Sequence, residues 1–205
     1  MNEASLIHHI AAQGGAGLQA VPDKRAAIID AAKTMFASAG FHAAITDQMA
    51  KQAGIAVGTI YNHFSNKEEI LSAIFREARD QRIEWWDQLD PNLPLDDCIM
   101  AFARWHFTSI ADDPRLGIIL THQGMVRPVG LAEFQRDLAG AIRKRIEGAG
   151  RAGCDPTIAT VMLMGVLEAI VREGVGIAQR RKREEFFERA LGQISCVVGP
   201  MLNRE

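Results

Sequence analysis

The sequence predicts an all-α protein, and three observations carry that reading. Apolar residues recur at three- and four-residue steps, first at Ile28, Ala32, Met35, Phe36 and Ala39, later at Ile99, Phe102, Ala103, Phe107 and Ile110. No segment alternates with period two; the one β-branched tract, Ile194 to Val198, continues the helical face set by Phe186, Ala190 and Leu191. Breakers fall between the periodic stretches, at Pro91, Pro94, Pro114, Pro128, Gly130 and Gly153. No internal repeat is visible, so a helical solenoid is not expected.

Taken in order, residues 1–21 hold Gly14, Gly15, Gly17 and a scatter of Ala and Gln without a sustained period, which reads as a flexible N-terminal arm. No strand precedes those glycines, so they do not make a phosphate-cradling loop. From Pro22 an amphipathic helix runs to Gly40, which can close it with a positive φ while Phe41 folds back onto the last turn. Thr46 offers an N-cap hydroxyl to a second helix, Asp47 suits its dipole, and Met49, Ala50 and Ala53 form its inner face before Gly54 stops it. A third short helix spans Val57 to Phe64. A long fourth begins within Ser65-Asn66-Lys67-Glu68-Glu69 and buries Ile70, Leu71, Ile74, Phe75 and Ala78.

Two short helices around a Gly54-Ile55-Ala56 turn have the lengths of a helix-turn-helix. On the third helix Ile60 and Phe64 share the inward face, which leaves Gly58 and Asn62 opposite, flanked by Thr59 and Tyr61. Such a face fits either plain solvation or a major groove, with Thr59 and Asn62 at base edges and Tyr61 on phosphate or sugar.

The run from Gly54 through Ile55, Ala56, Val57, Gly58, Thr59, Ile60, Tyr61, Asn62, His63, Phe64, Ser65, Asn66 and Lys67 to Glu68 resembles the DNA-binding signature of the TetR family of bacterial transcriptional regulators. The likeness extends over about Arg25 to Leu71 and takes in the first helix with its Gly-aromatic ending. It implies a three-helix helix-turn-helix DNA-binding domain over 22–69 and a C-terminal helical effector-binding and dimerisation domain over 70–205. It also implies that Thr46, Tyr61 and Lys67 bind phosphates and that Val57, Gly58, Thr59, Asn62 and His63 face the bases. Two positions depart from the family pattern: Ala56 stands where many members carry a polar cap, and Asp47 where some carry a basic base reader. Gln48 is the substitute reader beside Asp47. The function implied is a sequence-specific regulator, usually a repressor, that binds a palindromic double-stranded DNA operator as a homodimer and is released by a small, largely apolar effector.

Charge adds a constraint. The chain carries 23 Lys and Arg against 25 Asp and Glu. Within Pro22 to Arg76, Lys24, Arg25, Lys33, Lys51, Lys67 and Arg76 face Asp23, Asp30, Asp47, Glu68 and Glu69, a net of +1. A near-neutral reader must position itself largely through helix dipoles and neutral donors, with a modest salt dependence.

The larger part offers two kinds of candidate. Large apolar groups with polar handles suit either core or an effector pocket: Trp85, Trp86, Phe102, Trp105, His106, His122, Met125, Phe134, Met162 and Glu168. Two late helices present apolar faces, Ile158, Val161, Met162, Gly165 and Ala169 on one and Phe186, Ala190, Leu191, Ile194, Val198 and Met201 on the other. They suit a private core or, as the resemblance implies, a two-fold four-helix interface. Arg180-Arg181-Lys182-Arg183, between these helices, reads as a solvated loop.

Other classes are not expected. Cys98, Cys154 and Cys196 are odd in number and far apart, which suits reduced thiols, and no metal or cofactor spacing is present. An enzyme lacks G-x-S-x-G, H-E-x-x-H, P-loop and Rossmann signatures. A protein-interaction module using the helix-turn-helix structurally is the other alternative. The longest nearly apolar stretch, Ile158 to Leu167, is too short to span a bilayer, and no leader is recognisable, so a cytoplasmic location is expected.

Overall fold

The computed structural model describes residues 23–121, 129–150 and 154–202, without side chains at 129 and 197–202. The expected arm at 1–21, His122 and Met125 lie outside the described residues, as do the side chains of Val198 and Met201. Among the described residues nine helices and no strands are present: α1 Lys24–Ala39, α2 Thr46–Ala53, α3 Val57–His63, α4 Lys67–Asp87, α5 Leu95–Asp112, α6 Pro114–Thr121, α7 Val129–Gly148, α8 Pro156–Val175 and α9 Arg180–Leu202.

Local chemistry sets the boundaries. Asp23 caps α1 by accepting from the Arg25 amide at 3.0 Å. At its other end Gly40 takes φ 81° and returns its amide to the Phe36 carbonyl, while the Phe41 ring lies 5.3 Å from that of Phe36. Thr46 is not the N-cap expected of it. Ile45 holds that position without a side-chain cap, because its carbonyl accepts the first bonds, from Gln48 and Met49. Gly54 closes α2 in the left-handed conformation, φ 67° and ψ 31°. Asn66 caps α4 through the Glu69 amide at 2.8 Å, and the Glu69 carboxylate reaches back to the Ser65 amide at 2.7 Å.

One apolar core runs through the molecule. Ile28, Phe36, Met49, Ile60 and Ile74 close the first three helices onto α4, and Phe75, Ile99, Phe102, Leu163 and Leu167 continue it into the bundle. α7 lies along α4, and at Gly130 a Cβ would stand only 3.0 Å from the Ser72 Cα, so that close approach needs glycine. α5 lies along α9, with the Phe107 and Phe187 rings stacked at 4.9 Å.

α6 turns back onto α1. Its Arg115 reaches the Asp30 carboxylate at 2.8 Å and the Thr34 hydroxyl at 2.9 Å, both on α1, while Asp113 braces the same guanidinium.

Two expectations are corrected here. The basic run at 180–183 is the first turn of α9, where i,i+4 pairing with Glu184 and Glu185 favours helix. Its Arg183 is buried and donates to the Ile177 and Ala111 carbonyls, and Arg180 pairs with Asp112. Leu191 and Ile194, assigned to a subunit interface, are buried in the protomer's own core, and Phe186 and Ala190 are half-buried. Over residues 186–194 the apolar face of α9 packs against α5 and α8. On α8, by contrast, Ile158, Val161 and Met162 are 59%, 67% and 47% exposed, with Gly165 and Ala169 also open to solvent.

Candidate nucleic-acid interface and effector cavity

The α2–α3 pair is held from behind and open in front. Ile60 and Phe64 are buried, Ile55 packs beneath the turn, and the Ile55 amide bonds back to the Ala50 carbonyl at 3.0 Å. The opposite face of α3 presents Gly58, Asn62 and His63 exposed, Thr59 and Val57 half-buried, and Tyr61 at 57% exposure. Gln48 and Asp47 are exposed on α2 and Thr46 is half-buried at its start. Every side chain expected to reach DNA except Lys67 therefore lies on or beside one open face.

Lys67 is the exception, because its ammonium points inward. Its Nζ donates to the carbonyls of Phe41, His42 and Ala44 at 3.0, 3.3 and 2.9 Å and lies 5.0 Å from the Phe41 ring centroid. An ammonium has three donors. All are engaged, so a phosphate contact would have to displace one. The lysine locks the α1–α2 connection onto the start of α4. Arg25 adds a second tie, to Glu77 at 2.8 Å across the Phe64 ring.

In the bundle, Phe102, His106, Leu120, Thr121, Phe134, Gln135, Leu138, Met164, Leu167, Glu168 and Val171 line a partly open cavity of about 60 Å3 between α5, α6, α7 and α8. Four pocket candidates, Phe102, His106, Phe134 and Glu168, are brought together there. Trp85 and Trp105 instead stack on each other at 5.2 Å behind Phe102. Trp86 packs edge-on against Phe102 and lines a separate, more open cleft of about 490 Å3 with Leu89, Leu93, Lys144 and Arg145. Met162 is not a pocket residue: it points outward, and Met164 lines the cavity in its place, because two residues along a helix turn the side chain about 200°.

Sequence reasoning missed Arg82. It is 1% exposed in the C-terminal third of α4, with Nη1 donating to the Ala78 carbonyl at 3.0 Å and Nη2 lying 3.2 Å from His106 Nδ1. The guanidinium lies over the Trp105 and Phe134 rings at 5.7 and 5.6 Å. Burial pushes its pKa down to about 10, so it stays charged at neutral pH. Burial, with the Arg82 charge beside it, holds His106 well below the ordinary histidine range. Since arginine only donates, neutral His106 accepts at Nδ1 and carries its proton on Nε2. The legible signal was an arginine at 82 in the stripe of Ala78, Trp85 and Trp86.

An open helix-turn-helix face joined through α4 to a helical bundle is the architecture of a DNA-binding regulator. Residues 28–74 match the family model for bacterial regulatory proteins of the tetR family. The fatty acid metabolism regulator protein of Bacillus subtilis (strain 168) is 30% identical over 154 residues, covering 70% of this chain and 79% of that protein. The transcriptional regulator FadR from Bacillus subtilis, solved in complex with stearoyl-CoA, matches with a TM-score of 0.71 at 26% identity, over 83% of this chain and 97% of that one. The regulator UidR of Escherichia coli (strain K12) is 34% identical over 59 residues, 29% of this chain and 30% of that protein. The chain belongs to the TetR family and is a helix-turn-helix transcriptional regulator. Relatives are regulators rather than enzymes. No helix among the described residues is long and apolar enough to cross a membrane.

Proposed function

We propose that this regulator binds a palindromic operator as a homodimer and represses until a long-chain acyl compound, an acyl-CoA thioester or its parent acid, enters the bundle and releases it. The observation that carries the effector reading is the apolar cavity of Phe102, Leu120, Phe134, Leu138, Met164, Leu167 and Val171, in a chain whose fold matches a stearoyl-CoA-bound regulator.

At about 60 Å3 the cavity is far below the roughly 300–1,000 Å3 of occupied ligand sites. Admitting an acyl chain therefore separates α5, α6, α7 and α8. Because α6 holds α1 through Arg115 and α4 begins at the reader, that separation changes the reader's placement. A tenfold loss of operator affinity needs about 1.4 kcal/mol of differential binding between the two states.

On DNA, Val57, Gly58, Thr59, Asn62 and His63 face the bases with Gln48 beside them. Thr46 and Tyr61 take phosphates, and Lys67 positions the reader from behind. The exposed α8 face at Ile158, Val161, Met162, Gly165 and Ala169 meets its two-fold copy, setting two α3 helices about 34 Å apart. The test is selection of bound duplexes from a random pool, followed by titration of the complex with stearoyl-CoA, stearate and free CoA. Release by an acyl compound but not by CoA is expected; a complex indifferent to all three refutes the effector assignment.

A further inference from the structure

Among the described residues Arg82 is a charge without a counter-charge. Of its five N–H donors, the described structure engages one at the Ala78 carbonyl and one at His106, and buried Nε has no partner. No carboxylate among the described residues forms an ion pair with it, and residues 122–128 contain no Asp or Glu. Glu168, the one acid on the cavity wall, is bonded to Arg172 at 2.9 Å on the exposed side of α8. The other buried arginine among the described residues, Arg183, also has a buried Nε without a partner, but it sits where α5 ends and takes the Ala111 carbonyl, so a helix C-terminus compensates it. Arg82 lies five residues before the end of α4, outside the last turn to which a helix dipole's effect is confined. The Trp105 and Phe134 ring faces offer partial compensation only. A buried cation left in this state costs stability, and an anion arriving beside it recovers that cost.

Two of the groups in contact with Arg82, His106 and Phe134, are themselves cavity walls. We propose that Arg82, with His106 alongside, is the anion seat of the effector site, and that the ligand it selects is a long-chain carboxylic acid whose carboxylate reaches Arg82 while its chain fills the apolar cavity. Neutral His106 adds a donor without adding charge, and a guanidinium fork matches a carboxylate in two parallel hydrogen bonds. A thioester brings a neutral carbonyl to the same place and leaves Arg82 uncompensated. The inference rests on the acyl-effector reading above and specifies which acyl head group is bound.

The experiment compares dodecanoate, dodecanamide, dodecanol and stearoyl-CoA on the full-length protein, by calorimetric Kd and by the fluorescence of Trp85 and Trp105. Dodecanoate is expected to bind at least tenfold more tightly than dodecanol or dodecanamide. Arg82→Met is expected to be no less thermally stable than the parent, to erase that preference and to retain dodecanol binding; Arg82→Lys keeps part of it. If Arg82→Met does not fold, the head-group series on the unmodified protein decides alone. Equal affinity for acid, amide and alcohol, or an acid preference that survives Arg82→Met, overturns the seat while leaving the acyl reading standing. Binding of none of the four compounds overturns both.

Discussion

Gly58→Ala separates what α3 needs in order to fold from what it needs in order to read DNA. Gly58 is the second residue of a seven-residue helix, its φ is not positive, and a Cβ built on it meets no heavy atom within 4 Å. Nothing inside the protein asks for glycine there, and replacing glycine by alanine within a helix is worth about 0.5–1 kcal/mol. The free protein is therefore expected to gain stability, with Tm rising by roughly 2–4 °C per kcal/mol for a chain of this size. If Gly58 faces the groove, the added methyl occupies space meant for a base edge. A disturbed base contact costs about 1–3 kcal/mol, and a dimer incurs it twice, so operator affinity should fall at least tenfold. The assay is thermal unfolding without DNA, paired with fluorescence anisotropy on a selected operator at fixed salt. Gly140→Ala on α7, equally free of neighbouring atoms, is the control that should leave DNA binding unchanged. Unchanged operator affinity in Gly58→Ala would remove the α3 face from the interface, and a lowered Tm would show that the helix needs glycine for itself.

Three other outcomes are expected. Lys67→Met frees three carbonyls and should lower stability by about 2–3 kcal/mol, read as a drop in Tm without DNA; an unchanged Tm would return Lys67 to a purely phosphate-binding role. Because His106 is held below its unfolded value of 6.5, its contribution is complete above that pH and is lost as pH falls through it. The Tm gap between parent and His106→Gln should narrow between pH 7.5 and 5, and parallel curves would contradict the buried neutral imidazole. Val161→Glu should leave protomer unfolding nearly unaltered yet yield monomers by light scattering, with operator affinity reduced at least tenfold; an intact dimer would move the interface away from α8.

The reader was legible in the sequence because its determinants are local. Gly54 sets the turn, Ile60 and Phe64 fix which face of α3 is inward, and the other side follows from helical geometry. Long-range facts were not legible. A lysine at the start of a helix reads as surface charge until the fold brings the carbonyls of residues 41–44 around it. The apolar periodicity of α9 is real, but periodicity does not say whether α5 or a second subunit covers Leu191 and Ile194. The pocket was half legible for the same reason. Phe102, His106, Phe134 and Glu168 converge on the cavity, whereas Trp85 and Trp105 pair with each other, a choice made by the crossing of α4 and α5.

The Arg115 brace constrains how such regulators can be recombined. A chimera cut at the α3–α4 boundary would give a borrowed bundle an α6 whose arginine has no Asp30 or Thr34 to grip, and its reader would then ride on α4 alone. Grafting a new operator preference onto this sensor thus means transplanting only the exposed face of α2 and α3. The α1 side chains beneath α6 stay native, so that the graft inherits the mechanical linkage along with the scaffold.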